Sequence, residues 1–174
     1  MVLSGIHNTF LSSSNNHSDV LDAFRQKESY DVNESTTKDT LRHYAVNVNF
    51  KHSFDSTGKE FAIDLDYASY RNVDNQYFVT RFFKNDGSTL KPVDIRTGNV
   101  LGRLDIKSVK ADYVHPLKNG AKFETGIKSS LVSADNDLQY FNVSTGVPVY
   151  DPAQSNHFLY DENINAAYIY FRKN

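Results

Sequence analysis

The sequence predicts an all-β chain: an antiparallel up-and-down meander that forms a curved partial wall of a transmembrane β-barrel. Three observations lead there. Apolar residues recur with period two, in runs of the length a tilted membrane-crossing strand needs. The residue balance disfavours helix, with 11 Tyr, 12 Phe and 17 Asn, no Trp, no Cys and a mean hydropathy of −0.55. Short Gly-containing turns alternate with long polar stretches, the pattern of short periplasmic turns and long extracellular loops.

Taken in order, residues 1–42 are expected to form a partial strand (1–12) and a long polar connection (13–40). Within it, SDVLDAFRQK (18–27) sets Val20, Leu21 and Phe24 at helical spacing after a Ser/Asp start, which predicts a short helix. Residues 43–174 supply five strands, two short turns and two long loops. Strand 43–54 carries Tyr44, Val46, Val48 and Phe50 between His43, Asn47, Asn49 and Lys51. The turn DSTGKE (55–60) leads into strand 60–84, with Phe61, Ile63, Leu65 and Tyr67 in phase. The stretch 84–101 is expected as a loop, then a strand at 102–115. There Leu104 and Ile106 share one parity and Val109, Ala111 and Tyr113 the other, so a β-bulge near Lys107 is expected.

The turn PLKNG (116–120) precedes strand 121–135, with Phe123, Thr125, Ile127, Ser129 and Leu131 in phase. A second long loop spans 136–158. The last strand, 159–174, carries Ile164, Ala166, Tyr168 and Tyr170 in phase. Matching apolar phases across the two short turns pairs Phe54 with Phe61, Phe50 with Leu65, Tyr113 with Phe123 and Val109 with Ile127. Phe54, Phe61, Tyr113 and Phe123 then form a lipid-facing aromatic girdle beside the short turns.

The chemistry available is limited. A formal net charge of −2 argues against a nucleic-acid footprint. Without cysteine there is no disulfide, thiol catalysis or Cys-ligated metal. The six histidines are dispersed, with no HxH or HxxxH pair, so no metal site is expected. No nucleophile elbow, P-loop, dinucleotide or zinc-protease motif is present, and neither catalytic residues nor a cofactor are expected. The acidic stripe of Glu60, Asp64 and Asp66 is a solvated face, or a lumen that attracts cations or sugar hydroxyls. Tyr140, Phe141, Tyr150, Phe158 and Tyr160 gather around the last long loop as candidate ligand contacts, for a glycan or a surface lipoprotein. The N-terminus lacks signal-peptide features, so in an exported protein Met1 is not expected to be the natural start. A soluble or periplasmic all-β ligand-binding domain is the first rival, and an outer-membrane barrel enzyme the second.

The stretches LDYASY (65–70), ADYVHPLKNGAKFETGIKSS (111–130), Asn136 and HFLYDENINAAYIY (157–170) resemble the outer-membrane β-barrel family of Bacteroidetes, related to TonB-dependent receptors. The ordered blocks Asp112-Tyr113, Pro116-Leu117, Gly120, Glu124, Gly126 to Lys128 and Phe158, Tyr160, Glu162, Asn165-Ala166, Tyr168 carry the resemblance, which covers about three quarters of the chain. It implies a large barrel with a plug that takes up or binds nutrients at the cell surface. Its partners would be outer-membrane lipid, the rest of the barrel and plug, and a surface lipoprotein. In a barrel of about 22 strands this chain would form roughly a quarter to a third of the wall.

Overall fold

The computed structural model describes residues 1–117 and 120–173. Almost all of them lie in seven strands: β1 (Val2–Leu21), β2 (Lys27–Ser53), β3 (Glu60–Lys84), β4 (Thr89–Pro116), β5 (Lys122–Asn142), β6 (Val149–Tyr150) and β7 (Asn156–Arg172). All pairings are antiparallel. The sheet runs β1-β2-β3-β4-β5, and both β7 and the two-residue β6 add to the far side of β5. The result is an open six-strand meander with β6 as a short extension of its last strand.

There is one layer and no core. Ala121 is the single buried hydrophobic residue among those described, and the chain exposes 12100 Å². A globular protein of 19.8 kDa would expose about 8,600 Å². The apolar residues are therefore displayed on a surface. This removes the structural basis of the soluble-domain alternative, which needs a second apolar layer.

Several expected boundaries are wrong in one consistent way: the long polar stretches are mostly strand. β1 and β2 pair from Val2↔Asn47 to Leu21↔Lys27, so residues 13–40 are ladder, not loop. No helix forms at 18–27. Ser18 to Val20 pair with Asp31 to Ser29, and Asp22 closes a turn by accepting hydrogen bonds from the Phe24 and Gln26 amides at 2.9 and 2.8 Å. Arg25 takes φ 61° there, which a continuing helix forbids. Likewise 84–101 is a tight turn and then β4. Lys84 donates to the Ser88 carbonyl, and Asp86 accepts from the Ser88 amide and hydroxyl. Only 143–155 remains mostly irregular, and it folds back on the sheet. Val143 N–H bonds Ile95 O, and Arg96 reaches Asp94 at 2.8 Å and Asp151 at 3.3 Å.

No register shift occurs at Lys107, so the expected bulge is absent; the ladders slip at Val20/Leu21 and around Phe82. The parity change has another cause. Leu104 and Ile106 face one side of the sheet, Val109, Ala111 and Tyr113 the other, and both sides are apolar at different heights. The expected hairpin registers are off by two residues, which preserves the facing. Phe50 meets Ile63, Val48 meets Leu65 and His52 meets Phe61. The turn closes one pair sooner than expected because Phe54 N–H bonds Lys59 O and Asp55 accepts from the Thr57 amide. At the second turn Leu117 N–H bonds Ala121 O, Ala111 meets Ile127 and Tyr113 meets Thr125. Two residues of that turn, 118 and 119, lie outside the described residues.

Candidate functional site

Direct partners in a ladder share a face, so the register divides every strand into two surfaces. On β4, Leu101, Arg103, Lys107 and Val109 are exposed, while Gly102, Leu104, Ile106, Ser108 and Lys110 are half-buried. The first set lies on a convex face and the second on a concave one.

On the convex face, apolar residues concentrate beside the short turns. β2 gives Tyr44, Val46, Val48 and Phe50, and β3 gives Phe61, Ile63, Leu65 and Tyr67. β4 gives Val109, Ala111 and Tyr113, β5 Phe123, Ile127 and Leu131, and β7 Ala167, Ile169 and Phe171. The centre of this band slides toward the short turns by about five residues from β2 to β7. With strands about 4.8 Å apart, that slope corresponds to a strand tilt of roughly 40°. The four expected girdle residues all sit at its turn-side margin. Phe61 pairs directly with Tyr113. Phe54 stands at the turn with the His52 ring edge-on at 4.7 Å, and Phe123 pairs with His115 and Phe171.

The concave face at the same height is polar. Asn49 and Asn47 donate to Asp64 and Asp66, Ser108 donates to Asp66, and Lys51 pairs with Glu60 at 2.8 Å. The acidic stripe is thus fully engaged by its neighbours. The last strand corrects an expectation. Its even-numbered residues, Ile164 to Tyr170, belong to this concave face, and Asn163 and Asn165 to the convex one. Tyr168 instead lies across Gly126 and donates to Asp112 at 2.8 Å. Tyr140 repeats the device one strand over and higher on the sheet, crossing Gly98 to donate to Gln76 at 2.8 Å. In each case one ladder row supplies a tyrosine, a glycine and an acceptor on three successive strands. A Cβ on either glycine would overlap the ring.

Higher on the concave face the character inverts to an apolar belt: Ile6, Leu41, Tyr70, Leu104, Ile106, Val132, Phe158 and Tyr160. Polar groups are embedded in it. His43 stacks on Tyr70 with centroids 4.2 Å apart. Asp39 stands directly opposite Asp74. Asp39 Oδ1, His43 Nε2 and Asn72 Oδ1 are buried without a hydrogen-bond partner among the described residues. Burial and the facing Asp39 carboxylate raise the pKa of Asp74 above the usual aspartate value. This group was missed in the sequence because Asp39 and Asp74 are far apart in the chain and meet only through the ladder.

The five loop aromatics do not form one cluster. Tyr140, Phe158 and Tyr160 share the concave face, with Phe158 and Tyr160 stacked at 6.3 Å. Phe141 is on the convex face, edge-on to Tyr150 at 5.6 Å.

A single curved layer, apolar outside and polar inside at one height, is the arrangement that backbone-satisfied strands adopt in lipid. Residues 52–174 match the outer membrane protein beta-barrel family, a span that starts at the end of β2 and covers β3 to β7. No curated protein and no solved structure matches the chain. The match covers most of the chain and agrees with the geometry: this protein belongs to the outer membrane protein beta-barrel family and resides in the cell outer membrane.

Proposed function

We propose that this chain forms part of the wall of a receptor or transporter of the TonB-dependent type, which binds or takes up nutrients at the cell surface. The observation that carries the reading is the concave face. Its upper belt combines stacked aromatic rings with buried, unpartnered polar atoms on His43, Asn72 and Asp39. Such groups are stable when something docks against them and completes their hydrogen bonds. A plug or a polar solute such as a glycan would do so, and Tyr140, Phe158 and Tyr160 are positioned to stack on it. In this reading the short turns face the periplasm and the long ends of β1 to β4 project outward. Phe141 and Tyr150, facing away, are open to a surface lipoprotein. The wall itself performs no catalysis.

The test is uptake in the native host. Cells lacking the protein should lose binding or import of a solute too large for general porins. The loss should be reproduced by dissipating the proton gradient in wild-type cells. Unchanged uptake across a broad panel of glycans and peptides would refute the transport reading.

A further inference from the structure

Immediately beyond the apolar band, the convex face carries an unusual row. Arg42 pairs with Arg71, and Arg71 with Arg103, so three guanidinium side chains stand side by side on β2, β3 and β4. All three are exposed. Like charges directly opposite one another repel. The carboxylates nearby do not balance them. Asp105 engages Arg103 at 2.6 Å, while Asp135 and Asp137, beside Arg71 and Arg103, are held by His157 at 2.7 Å and by Gln139 at 2.6 Å. Among the described residues Arg42 and Arg71 have no hydrogen bond, ion pair or ring partner.

The height of the row is informative. Arg71 lies eleven residues along β3 from Glu60, beside the short turn. That is about 36 Å of strand, or about 28 Å along the membrane normal at the tilt above, close to the hydrocarbon thickness. Tyr44 and Tyr67 sit just below on the same face, where amphipathic rings mark an interface. Lys107 lies within the same patch and Lys38 beyond it. Arg42 and Arg71, guanidiniums at headgroup level that face lipid without a protein anion, match phosphate, which guanidiniums bind through paired N–H groups, and Arg103 keeps N–H groups free beyond its bond to Asp105.

We propose that Arg42, Arg71 and Arg103 form a docking site for the phosphate groups of a phosphorylated glycolipid in the outer leaflet. The site rests on the membrane orientation given above, with the short turns on the periplasmic side.

The test uses the whole protein, extracted from native outer membranes in mild detergent. Co-purifying lipid phosphorus is measured for wild type, for R42Q/R71Q/R103Q, for the charge-keeping R42K/R71K/R103K, and for K84Q/K91Q, whose lysines lie far from the band. Heat-modifiable gel mobility reports barrel assembly in each. Delipidated protein is then placed in phosphatidylcholine vesicles containing either diphosphorylated or dephosphorylated lipid A. The expected result is about a tenfold loss of bound glycolipid in the glutamine variant, partial retention in the lysine variant and none lost in the control. Binding should require the lipid phosphates and resist competition by free inorganic phosphate. Equal glycolipid in wild type and an assembled R42Q/R71Q/R103Q would overturn the site, as would an equal loss in K84Q/K91Q or equal binding of dephosphorylated lipid A. Displacement by inorganic phosphate alone would reassign the row to a soluble anion and overturn it too. Loss of heat-modifiable mobility in the wild type itself would sink the membrane reading first, and is distinguishable from failure of the site.

Discussion

Substituting Gly126 by alanine tests the interlock on the concave face. An added Cβ would lie 2.3 Å from Tyr168 Cε1 and 2.4 Å from Asp112 Oδ1. Both are the far ends of side chains, so the backbone is spared and the ring must leave. What is lost is the Tyr168–Asp112 hydrogen bond and the ring's contact with the glycine backbone. A hydrogen bond to a charged group contributes about 1.5 kcal/mol at the low end, appropriate to a half-exposed tyrosine. Relieving the overlap adds about 1 kcal/mol, and the alanine recovers about 0.5–1 kcal/mol because glycine weakens a strand. The net cost is about 1.5–2 kcal/mol. In a Tyr168→Ala background the ring collision is gone and only the freed Asp112 carboxylate must turn aside, so Gly126→Ala should cost clearly less there. Urea titration with heat-modifiable mobility as the readout, on all four members of the cycle, measures the coupling. An equal effect of Gly126→Ala with and without Tyr168 would refute the interlock.

Three further outcomes are expected. Leu65→Arg, in the middle of the convex band, should cost about 2–4 kcal/mol and impair assembly into lipid, whereas Ser130→Arg on the concave face should be near neutral; equal sensitivity in a vesicle-folding assay would reverse the assignment of faces. Asp74→Asn should stabilise the protein at neutral pH by a few tenths to about 1 kcal/mol, because it removes a like-charge pair. The folded pKa of Asp74 is raised, so no penalty exists below its unfolded value of 3.8. The penalty grows as pH rises through the folded pKa, and urea midpoints should converge between wild type and variant at low pH. Arg25→Gly should stabilise the 22–26 turn by about 1 kcal/mol, since Arg25 holds φ 61°; a lowered urea midpoint would contradict that backbone assignment.

What could be read from the sequence follows from where lipid acts. Between Tyr44 and Phe54, Phe61 and Tyr67, and Phe123 and Leu131, one face must be apolar and the other wet, so period two is visible. Beyond the band, the requirement that only one face be apolar lapses. Residues such as Ser35, Thr36 and Thr37 form good ladder with no alternation, so this polar strand has the sequence of a loop. The inverted belt produced a second error, because Leu104 and Ile106 look out of phase with Val109 only if one face is assumed apolar throughout. The strand order and the facing of the short hairpins survived, while their exact register depended on an aspartate-capped turn. The concave site was illegible for a different reason. Asp39, His43, Tyr70 and Asp74 become neighbours only once the long ladder is in register, and a single chain carries no mark of that pairing.

The β2–β3 ladder joins 25 consecutive residue pairs, from Ser29↔Lys84 to Ser53↔Glu60, without a slip. Mechanically this is a stiff blade anchored at one end. A pull on the 85–88 tip along the strand axis loads every rung in shear at once, so the force divides among them. A sideways pull on β1 or β7 instead breaks rungs one at a time. A ligand or partner tugging upward on the tip therefore meets far greater resistance than one peeling an edge. Any working motion of this wall is accordingly a rigid tilt of the whole blade, or a seam opening at its margins, with no stretching between.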